Sequence, residues 1–160
     1  MAYQIDQSGK IEQTNRATVV TLANGFTVTI KISAAEKQKL LKAVREIENP
    51  NTNYIYKIFA VMIFLLLDKK IKYLAIDKEY PGHDSVIKDT LIYLSNKFGK
   101  KLPEISFTLV GKKCKAHKTA LLTFQKRKKP DMIIKSEQII EVLYVQKKVG
   151  GLDLVKTILS

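Results

Sequence analysis

Eleven basic side chains fall between Lys97 and Lys129 against a single acid, Glu104, and eight of them gather in two groups: Lys112, Lys113, Lys115 and Lys118, then Lys126, Arg127, Lys128 and Lys129. Ammonium groups this close repel one another, and the anion that suits a run of point charges is a phosphate backbone. The segment carries +10 of a net charge of +13. A merely solubilising lysine surface would intersperse both signs, so the one-sided cluster predicts nucleic acid, RNA or DNA, as the partner. Lysine is not a bidentate reader of bases, so the expected contact is with the backbone. Four other residues could do chemistry. Asp6 and Asp77 each end a strand-like run, where an aspartate can also be a plain turn former; Glu79 follows two residues after Asp77, and His117 sits within the basic segment. The lone Cys114 has no thiol partner for a disulfide. The chain has no Gly-rich phosphate loop, no CxxC and no Gly-x-Ser-x-Gly, which excludes P-loop nucleotide hydrolysis, a cysteine zinc site and serine-elbow chemistry.

These side chains need elements to hold them. Ala2 to Ile11 reads as a short strand entering a turn at Ser8-Gly9. Ala17–Leu22 and Phe26–Ile32 are β-branched runs joined through Ala23-Asn24-Gly25, a strong hairpin signal, so three antiparallel strands open the chain. Ser33-Ala34-Ala35-Glu36 fits a capping box, and Leu40, Leu41, Val44 and Ile47 follow at helical spacing up to Asn49-Pro50. A second helix, from Thr52 or Asn53 to about Lys69, is apolar nearly all round and must be covered on several sides. Its apolar run, Ile58 to Leu67, covers only about half of a bilayer core at 1.5 Å per residue, so no membrane partner is expected.

Lys72–Asp77 then reads as a central strand, Tyr80-Pro81-Gly82 as a turn, and Asp84 or Ser85 as the cap of a helix with Ile87, Leu91, Leu94 and Phe98 on one face and Gly99 at its end. Glu104 to Val110 alternates, with Ile105, Phe107 and Leu109 on one side, as a fifth strand. A helix from about Ala116 to Lys126, a loop at Arg127–Pro130, a helix from Ser136 through Tyr144, a break at Gly150-Gly151 and a short helix at Leu152–Leu159 complete the reading. Apolar content of 46% predicts a packed core, and the absence of a leader-type opening predicts a cytoplasmic protein.

Three strands, two helices, strand, helix, strand, helix, with carboxylates ending the first and fourth strands: this order resembles the ribonuclease H-like superfamily over residues 1–127. The opening Ile5-Asp6-Gln7-Ser8-Gly9 is similar to the Ile-Asp-Glu-Ser-Gly start of an uncharacterised prokaryotic family placed in that superfamily. The resemblance implies an α/β fold with a mixed five-stranded sheet (β-β-β-α-α-β-α-β-α) and helices on both faces. It implies one domain over 1–160, with a core at 1–127 and a helical extension at 128–160. It further implies that Asp6 and Asp77 lie side by side and hold Mg²⁺ or Mn²⁺, as in a metal-dependent nuclease. Hard cations take carboxylate oxygens, and two adjacent carboxylates repel until a cation sits between them. A metal pair can then activate water and neutralise the leaving oxygen of a phosphodiester.

A third carboxylate in such a fold comes from the first helix after the strands. Glu36 is the positional candidate, and its capping box explains it equally well. Glu79 is a second candidate, or an exposed loop residue. His117 stands where the superfamily often has its last acid or histidine, and there it would position water or aid product release; it reads equally as an exposed helix start. The sequence departs from the pattern in having no acid between Ile105 and Pro130. A non-catalytic nucleic-acid-binding protein of the same fold is therefore the alternative function.

Overall fold

Period-two alternation in the opening runs builds an antiparallel meander. In the computed structural model, which describes residues 2–48, 53–109 and 115–145, β1 (Tyr3–Ser8), β2 (Thr18–Ala23) and β3 (Val28–Ile32) pair in sequence order. At the β2–β3 turn Asn24 takes the left-handed conformation (φ 83°), and a Cβ on Gly25 would lie 2.4 Å from the Tyr3 ring. Next, α1 (Ala34–Ile47) and α2 (Tyr54–Leu66) carry the chain across to β4 (Tyr73–Asp77), which lies parallel to β1, and α3 (Asp84–Phe98) carries it to β5 (Glu104–Thr108), parallel to β4. Then come α4 (Lys115–Phe124), β6 (Met132–Ile133) and α5 (Ser136–Tyr144). The sheet order is β5-β4-β1-β2-β3-β6.

The α/β class and the β1–β4 adjacency follow the sequence reading, but the sheet has six strands rather than five. β6 lies in the stretch expected to be a purely helical extension and pairs parallel with β3. Its clamp is Asp131: the carboxylate accepts from Thr29 N (2.8 Å) and Thr29 Oγ1 (3.2 Å), while Asp131 N donates back to Thr29 Oγ1 at 2.9 Å. A two-residue strand has no period to read. Residues beyond 127 also join the core, through Ile134, Ile139, Val142 and Leu143.

Smaller differences are local. β5 stops at Thr108, leaving Leu109 outside the strand and 85% exposed. The second helix ends at Leu66 because Asp68 Oδ1 accepts from Lys70 N and turns the chain. The third begins at Asp84, with His83 in the cap position and its ring stacked on Tyr56. Gly150-Gly151 and the expected helix at 152–159 lie outside the described residues.

The two faces of the sheet differ in kind. Ile5, Val20, Leu22, Ile30, Leu74 and Ile76 point into one cluster with side chains of α1, α2, α3 and α5. Every residue of α2 from Ile58 to Leu66 is buried, and each fully buried Leu, Ile, Phe or Met contributes about 1.5–3 kcal/mol of transfer free energy. The opposite face carries Asp6, Thr21, Ala75 and Asp77, and α4 packs against it over β1 and β2 through Ala116, Thr119, Ala120 and Thr123. Such small residues let a helix approach a sheet closely.

One buried side chain runs against helical patterning. Lys37, in the first turns of α1, has no exposed surface, and its Nζ donates to Lys10 O (2.9 Å) and Gln13 O (2.6 Å). Burial lowers this ammonium to about 8. Two charge-assisted hydrogen bonds tie the β1–β2 connection to α1. Lys37→Met keeps the stem and removes both donors, so it is expected to lower stability by about 2 kcal/mol. Urea denaturation should show a lower midpoint with an unchanged slope.

Candidate metal centre

β1 and β4 run parallel with Ile5 opposite Ile76, so Asp6 and Asp77 fall one step further along on neighbouring strands; Asp77 is the last residue of β4, whereas β1 continues past Asp6 to Ser8 rather than ending there. Alternation turns both onto the face that α4 covers. Beyond β4, Lys78 N donates to Thr108 O (3.0 Å) and Glu79 N to Asp77 O (2.8 Å), a tight turn that folds the chain back on itself. This returns the Glu79 carboxyl to the two aspartates, where its oxygen lies within hydrogen-bonding reach of both. Carboxylate oxygens of Asp6, Asp77 and Glu79 lie within 4.8 Å of one another.

Asp6 is the most enclosed of the three, 1% exposed. Its Oδ1 accepts from Gln7 N at 2.8 Å, and its Oδ2 lies 2.7 Å from His117 Nδ1. That second contact joins the start of α4 to β1 across the site. Gln7 is held in turn by Tyr80: the phenol pairs with the Gln7 side-chain amide and accepts from Ile11 N at 3.2 Å. The turn after β4 is thereby pinned to the end of β1.

Burial and like charge govern the protonation of the cluster. Desolvation, then hydrogen bonds to Asp77 and Asp6, then their charges push Glu79 up to about 9. Asp6 is raised too, chiefly by burial and further by Asp77, and the hydrogen bonds from Glu79, Gln7 and His117 work against that rise. A proton on Glu79 is what allows three carboxyl groups to share this space without a cation.

The donor set fits a hard divalent cation. Mg²⁺ takes oxygens at about 2.0–2.1 Å, so two oxygens on one ion are at most about 4.2 Å apart. A spread of up to 4.8 Å therefore needs to close by well under an ångström. All three groups are carboxylates, with no thiol that would favour zinc.

Of the residues singled out in the sequence, Asp6, Asp77, Glu79 and His117 come together. Glu36 does not: its amide donates to Ser33 Oγ (3.2 Å), the Ser33 half of the expected capping box, while its carboxylate pairs with Lys39 (3.2 Å). Lys115, Lys118, Lys126, Arg127, Lys128 and Lys129 are exposed, while Lys112, Lys113 and Cys114 lie outside the described residues. The basic segment is narrower than its span of 97–129. Lys97 Nζ donates to Val142 O (2.8 Å) and Lys100 Nζ to Phe64 O (3.0 Å), and burial lowers Lys100 to about 8. Both are half-buried braces at the end of α3, their amines spent on backbone carbonyls. Sequence reasoning missed Gln7 and Tyr80 altogether, and the only trace of their role is that Gln7 adjoins Asp6 and Tyr80 adjoins Glu79.

Compared with known proteins, the chain matches no family model, no curated protein and no solved structure. Among the described residues no helix is long and apolar enough to cross a membrane.

The raised Glu79 makes the metal-free protein pH-sensitive. The folded state keeps this proton where the unfolded chain has lost it, so stability is fully present below the ordinary value of 4.5 and declines as pH climbs toward about 9. Glu79→Gln mimics the protonated acid and removes that slope. In EDTA the variant is expected to melt higher than wild type at about pH 8 and at the same temperature at about pH 4. Scanning calorimetry at the two pH values checks this, and equal melting at both would mean that the cluster holds no such proton.

Proposed function

We propose that this protein is a metal-dependent nuclease of the ribonuclease H-like type, cutting phosphodiester bonds of nucleic acid held against its basic segment. The observation that carries the proposal is the convergence of Asp6, Asp77 and Glu79 toward the ends of two adjacent parallel strands, with His117 on Asp6. The superfamily resemblance expects carboxylates from the first and fourth strands side by side, and the β1–β4 pairing supports that placement. Exposed Lys115 and Lys118 share the first turn of α4 with His117, which brings cationic side chains to the rim of an acidic centre. Phosphate steering and metal ligation are then neighbouring tasks.

Within this reading Asp6, Asp77 and Glu79 hold Mg²⁺ or Mn²⁺, which supplies activated water and neutralises charge on the leaving oxygen. The chain's own groups do the rest. Gln7 N and His117 fix the two oxygens of Asp6, and the Tyr80 phenol holds the turn that presents Glu79. His117 is placed to orient water beside the phosphate or pass a proton to solvent.

The deciding measurement is cleavage of RNA, DNA and hybrid substrates with and without Mn²⁺ or Mg²⁺, wild type beside Asp77→Asn. Metal-dependent cutting is expected in the wild type, with loss to background in Asp6→Asn and Asp77→Asn. Binding should be kept or tightened in these variants, because each removes a negative charge near the phosphates. Lys115→Ala and Lys118→Ala should each lower the slope of log K against log salt by about 1. Cutting that survives Asp77→Asn would discard the site. No cutting of any substrate, with salt-dependent binding intact, would favour the non-catalytic binder.

A further inference from the structure

Among the described residues, only half of the sheet face that bears the carboxylates is covered. α4 lies over β1 and β2, while on β4 and β5 the same face leaves Tyr73, Glu104, Ser106 and Thr108 exposed. Their register is fixed: Tyr73 lies opposite Glu104, Ala75 opposite Ser106, and Asp77 opposite Thr108. From Tyr73 to Asp77 the strand spans four residues, about 13 Å. An open strip therefore starts at the carboxylate cluster, passes two hydroxyl side chains and ends at an exposed aromatic ring.

What lies at the far end is basic. A hollow of about 340 Å³ adjoins Tyr73 and is lined by Lys69, Lys72 and Lys101, with Glu104 as the acid among its lining residues. A second hollow, of about 320 Å³, shares Tyr73 and Glu104 and continues under Ser106. Lys69, Lys72 and Lys101 are exposed and enter no ion pair among the described residues. Asp68, the nearest other acid in sequence, is engaged by Lys70 N and lies beside Lys100. Tyr73 is 52% exposed and has no hydrogen bond or ring partner among the described residues. Lys69 and Lys72 lie outside the basic segment at 97–129, and Lys101 belongs to it.

We infer that the uncovered face of β4 and β5 is a track for single-stranded nucleic acid, leading from the carboxylate cluster to the lysine-lined hollow around Tyr73. The strip is two strands wide, about 10 Å, and α4 walls one side. At about 3.4 Å per stacked nucleotide it holds about four nucleotides. Tyr73 offers a face on which a base stacks, Ser106 and Thr108 offer hydroxyls to phosphates, and the three lysines receive the strand where it leaves the sheet. Only the cluster's role as the cutting end rests on the nuclease reading; the binding does not.

The test is fluorescence anisotropy of a labelled oligothymidylate of about twelve nucleotides on the full chain in EDTA, beside a duplex of equal length. Tyr73→Ala is expected to weaken single-strand binding about tenfold and duplex binding far less, and Tyr73→Phe to retain wild-type affinity. The triple change of Lys69, Lys72 and Lys101 to Gln should lower the salt slope by about two. Unchanged single-strand affinity in Tyr73→Ala, or an equal loss on the duplex, would overturn the track. So would vesicles of phosphatidylserine that need these residues when the oligonucleotide does not. No cutting can occur in EDTA, so a failed cleavage assay in Mn²⁺ sinks the nuclease reading alone, whereas Tyr73-independent binding sinks this one alone.

Discussion

A carboxylate with almost no exposed surface at the middle of a sheet is the constraint around which this molecule is arranged. Asp6 lies on β1, the third strand from the β5 edge of the sheet, flanked by β4 and β2, and water reaches almost none of it. An ionised carboxylate in such a place is tolerable only when its oxygens are satisfied, and here a backbone amide and an imidazole do so. Much else follows from those two contacts. α4 must begin where His117 can reach β1, its packing residues must be small enough to bring it down onto the sheet, and the end of β1 must be held still, which Gln7 and Tyr80 accomplish.

The surrounding charge makes sense in the same terms. A chain of net charge +13 that concentrates three carboxyl groups at one point sets up a steep local change of potential. In the nuclease reading proposed above, phosphates would be drawn to the lysines and a divalent cation to the carboxylates between them, so the two attractions would not compete.

The elements of the sheet and the two aspartates were legible because their signals are local. Asp6 and Asp77 follow short strand-like runs, and the strand order that makes those runs neighbours is a property of the whole pattern. Glu79 could be proposed but not chosen over Glu36, since what separates them is a turn between Asp77 and Glu79 on one side and an i,i+3 pair with Lys39 on the other. Both are matters of side-chain direction, which spacing alone does not encode. Lys37, Lys97 and Lys100 were illegible for another reason. A lysine whose amine finds a carbonyl in the core reads in sequence like any solvated lysine, so charge counting overstated the basic face. β6 escaped because it is two residues long and its partner strand, β3, lies about a hundred residues away, the distance that separates Thr29 from the Asp131 that clamps it.

That last contact bears on how the chain comes to be made. Thr29 and Asp131 are separated by 102 positions, so on the ribosome β3 is synthesised long before the segment that caps it. Until then β3 is an open edge with unsatisfied amides, the kind of edge that templates pairing with another chain. Synthesis at about 5–20 residues per second leaves that edge bare for roughly 5–20 s. Lys31, one of the two β3 residues that β6 later pairs with, puts a charge on the edge for that interval, so the same strand is guarded first by a cation and then by a two-residue strand.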